Sequence, residues 1–218
     1  MMILAIDTAT RWTGIALHDG QHVIADHGWL SAQTQSMELA PAVNRMLQQA
    51  GVHAADLSAI GIALGPGSYT GLRIGMGLAK GMALAYQLPL VGVPTLDIVA
   101  AGQPLCNGDL IAVAEAGRRR ITSARYRLVK GRWEPHGAPL NETWDELLQR
   151  IEPPLTITGE ISPAAQKQIR ASSRSYAVAP AAQRVRRAAM LAELAWRRLR
   201  RGKLDDPAAL APIYLREP

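Results

Sequence analysis

Cysteine is nearly missing from this chain: Cys106 stands alone. That excludes an internal disulfide, and no Cys/His cluster has structural-zinc spacing. Long apolar runs are missing as well. No stretch approaches the roughly 18 residues of a membrane span, and the opening MMILAIDTAT has no basic leader, its apolar run being cut at Asp7. The expectation is a cytoplasmic protein without a membrane segment. Its 218 residues, 48% hydrophobic, can build one domain or two small ones with a real core.

Positive charge is scarce in the first half and abundant in the second. Residues 1–100 carry four Lys/Arg against six Asp/Glu, and residues 101–218 carry twenty against twelve. One basic cluster runs from Arg118, Arg119 and Arg120 to Arg132, and another from Arg184 to Lys203 with Arg197, Arg198, Arg200 and Arg201 at its heart. Such clusters can hold a phosphate backbone or simply face solvent.

Periodicity and turn residues divide the chain into elements. Strands are predicted over 2–6, 12–18 and 21–30, with Asp19-Gly20 as a two-residue hairpin turn. A helix over 36–50 carries Leu39, Val43, Met46, Leu47 and Ala50 on one face, with Ser36 as its cap, Pro41 near its first turn and Gly51 past its end. A strand over 59–64, a glycine-rich helix over 68–86 and a strand over 90–93 complete a βββαβα order. The second half repeats it more faintly. Strands at 109–114, 121–129 and 132–138 precede a helix from Thr143, whose spacing to Glu146 is that of a capping box. A strand at 155–158, a helix opened by Ser162-Pro163, a short strand near 176–179 and a basic helix over 183–202 follow. The boundary falls in the turn-rich stretch 102–108, giving units 1–101 and 102–218, the last helix and tail of the second being able to pack back on the first.

The segment GIALGPGSYTGLRIGMGLAKGMAL (61–84) is glycine-rich but is no phosphate loop of a known motif. A P-loop needs Gly-Lys-Ser/Thr, whereas Lys80 is followed by Gly81 and Met82, and Gly65-Pro66-Gly67 does not continue into G-x-G-x-x-G. What holds is a spacing of four. Gly67, Gly71, Gly75, Ala79 and Ala83 form one series, Gly77, Gly81 and Ala85 another, so two ridges of the helix have almost no side chain. Each helical glycine costs about 1 kcal/mol relative to alanine. The compensation expected is close approach of another backbone, either by the chain's own sheet alone or by that sheet on one ridge and a partner on the other. Gly65-Pro66-Gly67-Ser68 is the turn into this helix, with Ser68 its cap and amides suited to an anion.

These stretches, GPGSYTGLRIGMGLAKGMA with ILAIDTAT, LVGVPTLDIVA, LTITGE and PIYLRE, resemble the bacterial TsaB (YeaZ) family, densely over the first hundred residues and then in single elements. The resemblance implies an α/β, actin-like fold of the sugar kinase, Hsp70 and actin superfamily, with two RNase H-like βββαβα domains, the second reduced. It also implies a non-catalytic scaffold subunit. Such a subunit pairs with TsaD, and with itself when TsaD is absent. Together with TsaE it serves the transfer of threonylcarbamoyl to the adenosine beside the anticodon of tRNAs reading codons that start with adenine. No cofactor is implied for this subunit; ATP and a metal are expected on its partners.

On that reading Leu39, Val43, Met46, Gly71, Gly75, Gly77, Leu78 and Gly81 are the candidate partner interface. Asp7, Thr8 and Thr10 with Gly65, Gly67 and Ser68 form a vestigial phosphate loop, in which Thr8 or Ala9 stands where active relatives have glycine. Arg118, Arg119, Arg120, Arg197, Arg198, Arg200 and Arg201 are candidate tRNA contacts. Glu115-Ala116-Gly117 replaces the family's Asp-Ala-Arg. No metal site is expected: His18 and His22, four apart, fall on opposite faces of the hairpin. Asp7, ending a strand, suits a turn cap. The alternatives are an independent ATP-binding kinase or ATPase of the same superfamily, and a glycoprotease-like peptidase, for which Ser68 lacks the G-x-S-x-G elbow.

Overall fold

The computed structural model describes residues 1–32, 34–117, 119–172 and 174–214. They form two units, residues 1–95 with 187–214, and residues 96–186. Helix α3 (Thr95–Ala101) straddles the division, which separates it from the sequence boundary at 101.

The first unit is built on strands β1 (Met2–Asp7), β2 (Trp12–His18), β3 (Val23–Leu30), β4 (Leu57–Ala63) and β5 (Leu90–Val93), in the order β3-β2-β1-β4-β5. The first three pair antiparallel, and β4 and β5 lie parallel to β1. Alternation gives this sheet two different faces. Leu4, Ile6, Ile15, Leu17, Ile60 and Ile62 pack under helices α1 (Gln35–Ala50) and α2 (Tyr69–Tyr86). The other face is nearly smooth, and helix α7 (Ala188–Leu199) lies on it with Ala188, Ala189, Leu191, Ala192 and Ala195 buried. A Cβ on Gly14 would stand 3.2 Å from that of Ala188, and one on Gly61 2.8 Å from that of Ala195. Glycine and alanine on facing positions let this helix settle directly onto the strands.

The second unit repeats the topology. Strands β6 (Asp109–Gly117), β7 (Arg120–Val129), β8 (Arg132–Pro135), β10 (Leu155–Gly159) and β11 (Ala177–Val178) lie in the order β8-β7-β6-β10-β11, with β9 (Leu140–Glu142) beside β7. Helices α4 (Trp144–Arg150) and α5 (Pro163–Ala171) cover one face, α3 the other, and α6 (Ala181–Arg184) follows β11. Thr143 and Glu146 form the predicted capping box, Ser162 caps α5 ahead of Pro163, and Lys130 and Gly131 both take positive φ in the tight turn between β7 and β8.

Four expectations need correction. His18 pairs with Val23, not Gln21, because the Asp19 carboxylate accepts the amides of both Gln21 and His22 (2.7 Å each) and opens a longer loop. Those two bonds hold the Asp19 carboxyl down at about 2. Helix α1 begins at Gln35 rather than at a Ser36 cap, and Pro41 stands inside it. The basic helix over 183–202 is two pieces, α6 and α7, broken where Arg186 is buried. The third strand of the second half stops at Pro135, with β9 as a separate short partner of β7.

Candidate functional site

The two small-residue ridges of α2 face opposite ways. Gly71, Gly75, Ala79 and Ala83 are buried, whereas Gly77, Gly81 and Ala85 are exposed. A Cβ on Gly67 would lie 2.0 Å from Ala9 O, one on Gly71 2.2 Å from Thr8 O, and one on Gly75 2.2 Å from Thr8 Oγ1. Real Cβ atoms do not approach that closely, so the inner ridge is glycine because the β1–β2 loop lies against it. On Gly77 and Gly81 a Cβ would meet nothing within 4 Å. Nothing among the described residues accounts for glycine there.

The interface expectation is corrected accordingly. Leu39, Val43 and Met46 are 1%, 4% and 5% exposed and belong to the core under α1 and α2, and Gly71 and Gly75 are turned inward. The apolar face of α1 is used by its own sheet, the ordinary fate of an amphipathic stripe. Outward remain Gly77, Gly81 and half-buried Leu78. Sequence reasoning missed their exposed companion Leu84 (85%), which lies three residues past Gly81 on the same face; Met37 on α1 is exposed as well (77%).

Where β1 ends, the Asp7 carboxylate accepts the amide of Ala9 (2.9 Å), the turn cap suited to an aspartate at that place. The Ser68 amide donates to Ala9 O (2.6 Å), and Ser68 Oγ accepts the amide of Gly71 (3.2 Å), capping α2. Thr8, 1% exposed, turns its hydroxyl toward Gly75, and Oγ1 has no hydrogen-bond partner. The loops of Asp7, Thr8 and Thr10 and of Gly65, Gly67 and Ser68 are thus brought together, but with protein atoms filling the space between them. Beside them opens a cleft of about 390 Å³ lined by Thr10, Arg11, Ser31, Gln35, Ser68, Thr70 and Ile74. Gln35 closes its floor, donating to Thr10 O and Thr13 Oγ1 (2.8 Å each). The lining offers hydroxyls, an amide and one guanidinium, groups that bind by hydrogen bonds. Thr34 and then Trp29 donate to Glu38 nearby and hold its carboxyl below the usual range.

The matching turn of the second unit carries a carboxylate. Glu160 Oε2 accepts the amide of Glu115 (2.9 Å), and Gly159, at φ +100°, lies where a Cβ would be 2.1 Å from Val113 O. A superfamily nucleotide site needs open backbone amides facing phosphates. Neither loop fits: one has its amide engaged by Ala9 and its space filled by Thr8, and the other presents a negative group.

The basic candidates divide between the two units. Arg118 lies outside the described residues. Arg119 is exposed at positive φ, and Arg120 is held by Asn141 through both Oδ1 and the backbone carbonyl, all in the second unit. Arg197 pairs with Glu193 (2.8 Å), Arg198 is half-buried, and Arg200 and Arg201 are exposed, all in the first. His18 Nε2 meets Glu193 (3.1 Å) while exposed His22 meets Asp19 (3.3 Å), so the two imidazoles have separate partners. Among the described residues no group of three His, Cys, Asp or Glu is placed to hold a metal, and no helix is long and apolar enough to cross a membrane.

The family model of TsaD, described as tRNA N6-adenosine threonylcarbamoyltransferase, matches residues 30–218. The tRNA threonylcarbamoyladenosine biosynthesis protein TsaB of Bacillus subtilis is 34% identical over 73% of this chain and 71% of its own. TsaB of Escherichia coli is 39% identical over 58% of this chain and 55% of its own. The solved structure of YeaZ from Pseudomonas aeruginosa, 24% identical, superposes with a TM-score of 0.82 over 98% of this chain and 99% of that one, which establishes a shared α/β fold. The chain therefore belongs to the TsaB (YeaZ) family.

Proposed function

We propose that this chain is a non-catalytic subunit in the biosynthesis of tRNA threonylcarbamoyladenosine, and that it docks a TsaD-type partner on the outward face of α2. The observation that carries the docking surface is the open space at Gly77 and Gly81. Two glycines inside a helix weaken it by about 1 kcal/mol each, and no neighbour among the described residues repays that, whereas a second helix lying close across the ridge does. Leu78 and Leu84 supply apolar area around it. The pathway is read from the names of the TsaB relatives and from the TsaD family match.

In this reading TsaD is the main partner, a second copy takes the same ridge when TsaD is absent, and TsaE and tRNA join the assembled complex in the cytoplasm. ATP and metal belong to the partners, in keeping with the filled loops at Thr8 and Glu160. Arg119, Arg120, Arg200 and Arg201 are its candidate tRNA contacts. The test is size-exclusion chromatography with light scattering on this protein, alone and mixed with the TsaD of the same organism. A mixed species that Gly81→Trp abolishes is the expected result; a parent chain that ignores TsaD overturns the reading.

A further inference from the structure

Residues 205–214 run along the first unit as a strap. Asp205 donates its amide to Leu90 O (3.0 Å) and accepts that of Gly92 through Oδ2 (2.7 Å), closing the edge of β5. Farther on, Ile213 donates to Leu64 O (2.7 Å), and its own carbonyl lies 2.7 Å from where a Cβ on Gly65 would stand. The strap then reaches α2. The rings of Tyr214 and Tyr69 lie 5.2 Å apart, the Arg73 guanidinium sits 3.8 Å over the Tyr69 ring, and Arg73 Nε donates to the Tyr214 hydroxyl (3.3 Å).

The three side chains touch one another yet stay open to solvent, with Tyr69 54% and Tyr214 40% exposed. Its place on the helix matters. Arg73 precedes Gly77 by four residues, Gly81 by eight and Ala85 by twelve, so it heads the outward ridge. Exposed tyrosines and an arginine held in fixed rotamers are favourable contact groups, because little side-chain freedom is left to lose on burial. The guanidinium also carries N–H donors beyond Nε, suited to the bare carbonyls at the C-terminus of an opposing helix.

We propose that Tyr214, Tyr69 and Arg73 form an end-stop of the docking surface, where the strap contacts the end of the partner helix lying along Gly77 and Gly81. This rests on the reading that the ridge is the docking face. The C-terminal strap then has two roles, closing the sheet edge with Asp205 and gripping the partner with Tyr214.

The experiment measures affinity for the TsaD of the same organism by titration calorimetry, with Tm of each variant alone. Arg73→Ala and Tyr214→Ala are each expected to weaken binding about tenfold, and the double variant little more than either, because the two side chains act as one group. Tyr214→Phe keeps the ring and removes only the hydroxyl, with an expected loss of about threefold, so the question stays decidable if the alanine variant folds poorly. Affinity within about twofold of the parent for both Arg73→Ala and Tyr214→Phe, while Gly81→Trp still blocks pairing, overturns the end-stop alone. A Gly81→Trp chain that pairs normally overturns the docking ridge beneath it.

Discussion

Helix α2 carries two ridges of the same composition with different reasons for it. On the inner ridge, Gly71 and Gly75 lie under the backbone and side chain of Thr8, so glycine is a condition of folding. On the outer ridge, Gly77 and Gly81 face open space, so glycine is a cost that the isolated chain bears. Identical spacing therefore encodes two separate demands, one internal and one external. Only the neighbours distinguish them.

The strongest way to break this comparison is Gly75→Val. Three new carbons must fit where even one would stand 2.2 Å from Thr8 Oγ1, so unfolding free energy in urea should fall by about 3 kcal/mol or more. A variant as stable as the parent would show that the inner ridge is not close-packed. Next is Gly81→Trp, expected to leave the monomer's Tm unchanged while weakening TsaD pairing about a hundredfold or more. Gly77→Ala sharpens the contrast from the other side: with no atom within 4 Å of its new methyl, it should stabilise the isolated chain by about 1 kcal/mol, measured by denaturant titration. Loss of stability there would reveal a neighbour on the outer ridge.

The smallest effect concerns the opposite face of the sheet, where α7 packs without open space. Asp26 of β3 accepts the amide of Ala189 in the first turn of α7 (3.3 Å), and burial, partly offset by that bond, raises its carboxyl above the usual value. The native state then takes up a proton before the unfolded chain does, so this group's contribution to stability is greatest at low pH and falls as pH rises through the raised value. Parent and Asp26→Asn should accordingly differ in pH dependence, the parent gaining on the variant as pH falls from neutrality toward about 4. Parallel stability curves would contradict the ionisable role given to Asp26.

Much of the fold is legible in the order of residues, because long elements carry enough of them to show a period. Strands β2 and β5 and helix α2 fall where the pattern places them, and Ser68, Thr143 and Ser162 act as caps from local chemistry alone. Helix α3 escapes because seven residues after Pro94 show too little period, and β9 because it has only three. The break between α6 and α7 has no glycine or proline to announce it. The candidate site is less legible. An apolar stripe such as Leu39, Val43 and Met46 reads alike whether it meets its own sheet or another protein, and the chain's own core claims it first. Exposed Leu84 and the Tyr69–Tyr214 pair leave no periodic trace, the latter joining residues 145 positions apart.

The placement of α7 on the first sheet has a consequence for how the protein is born. The strands it covers end at Val93, yet its first residue is Ala188. At translation rates of about 5–20 residues per second, the two emerge from the ribosome about 5 to 20 s apart. Throughout that interval the nascent sheet shows its smooth Gly14, Ala16 and Gly61 face uncovered, and the whole of 96–186 is synthesised inside the wait. The first unit is thus the first to be made and the last to be finished.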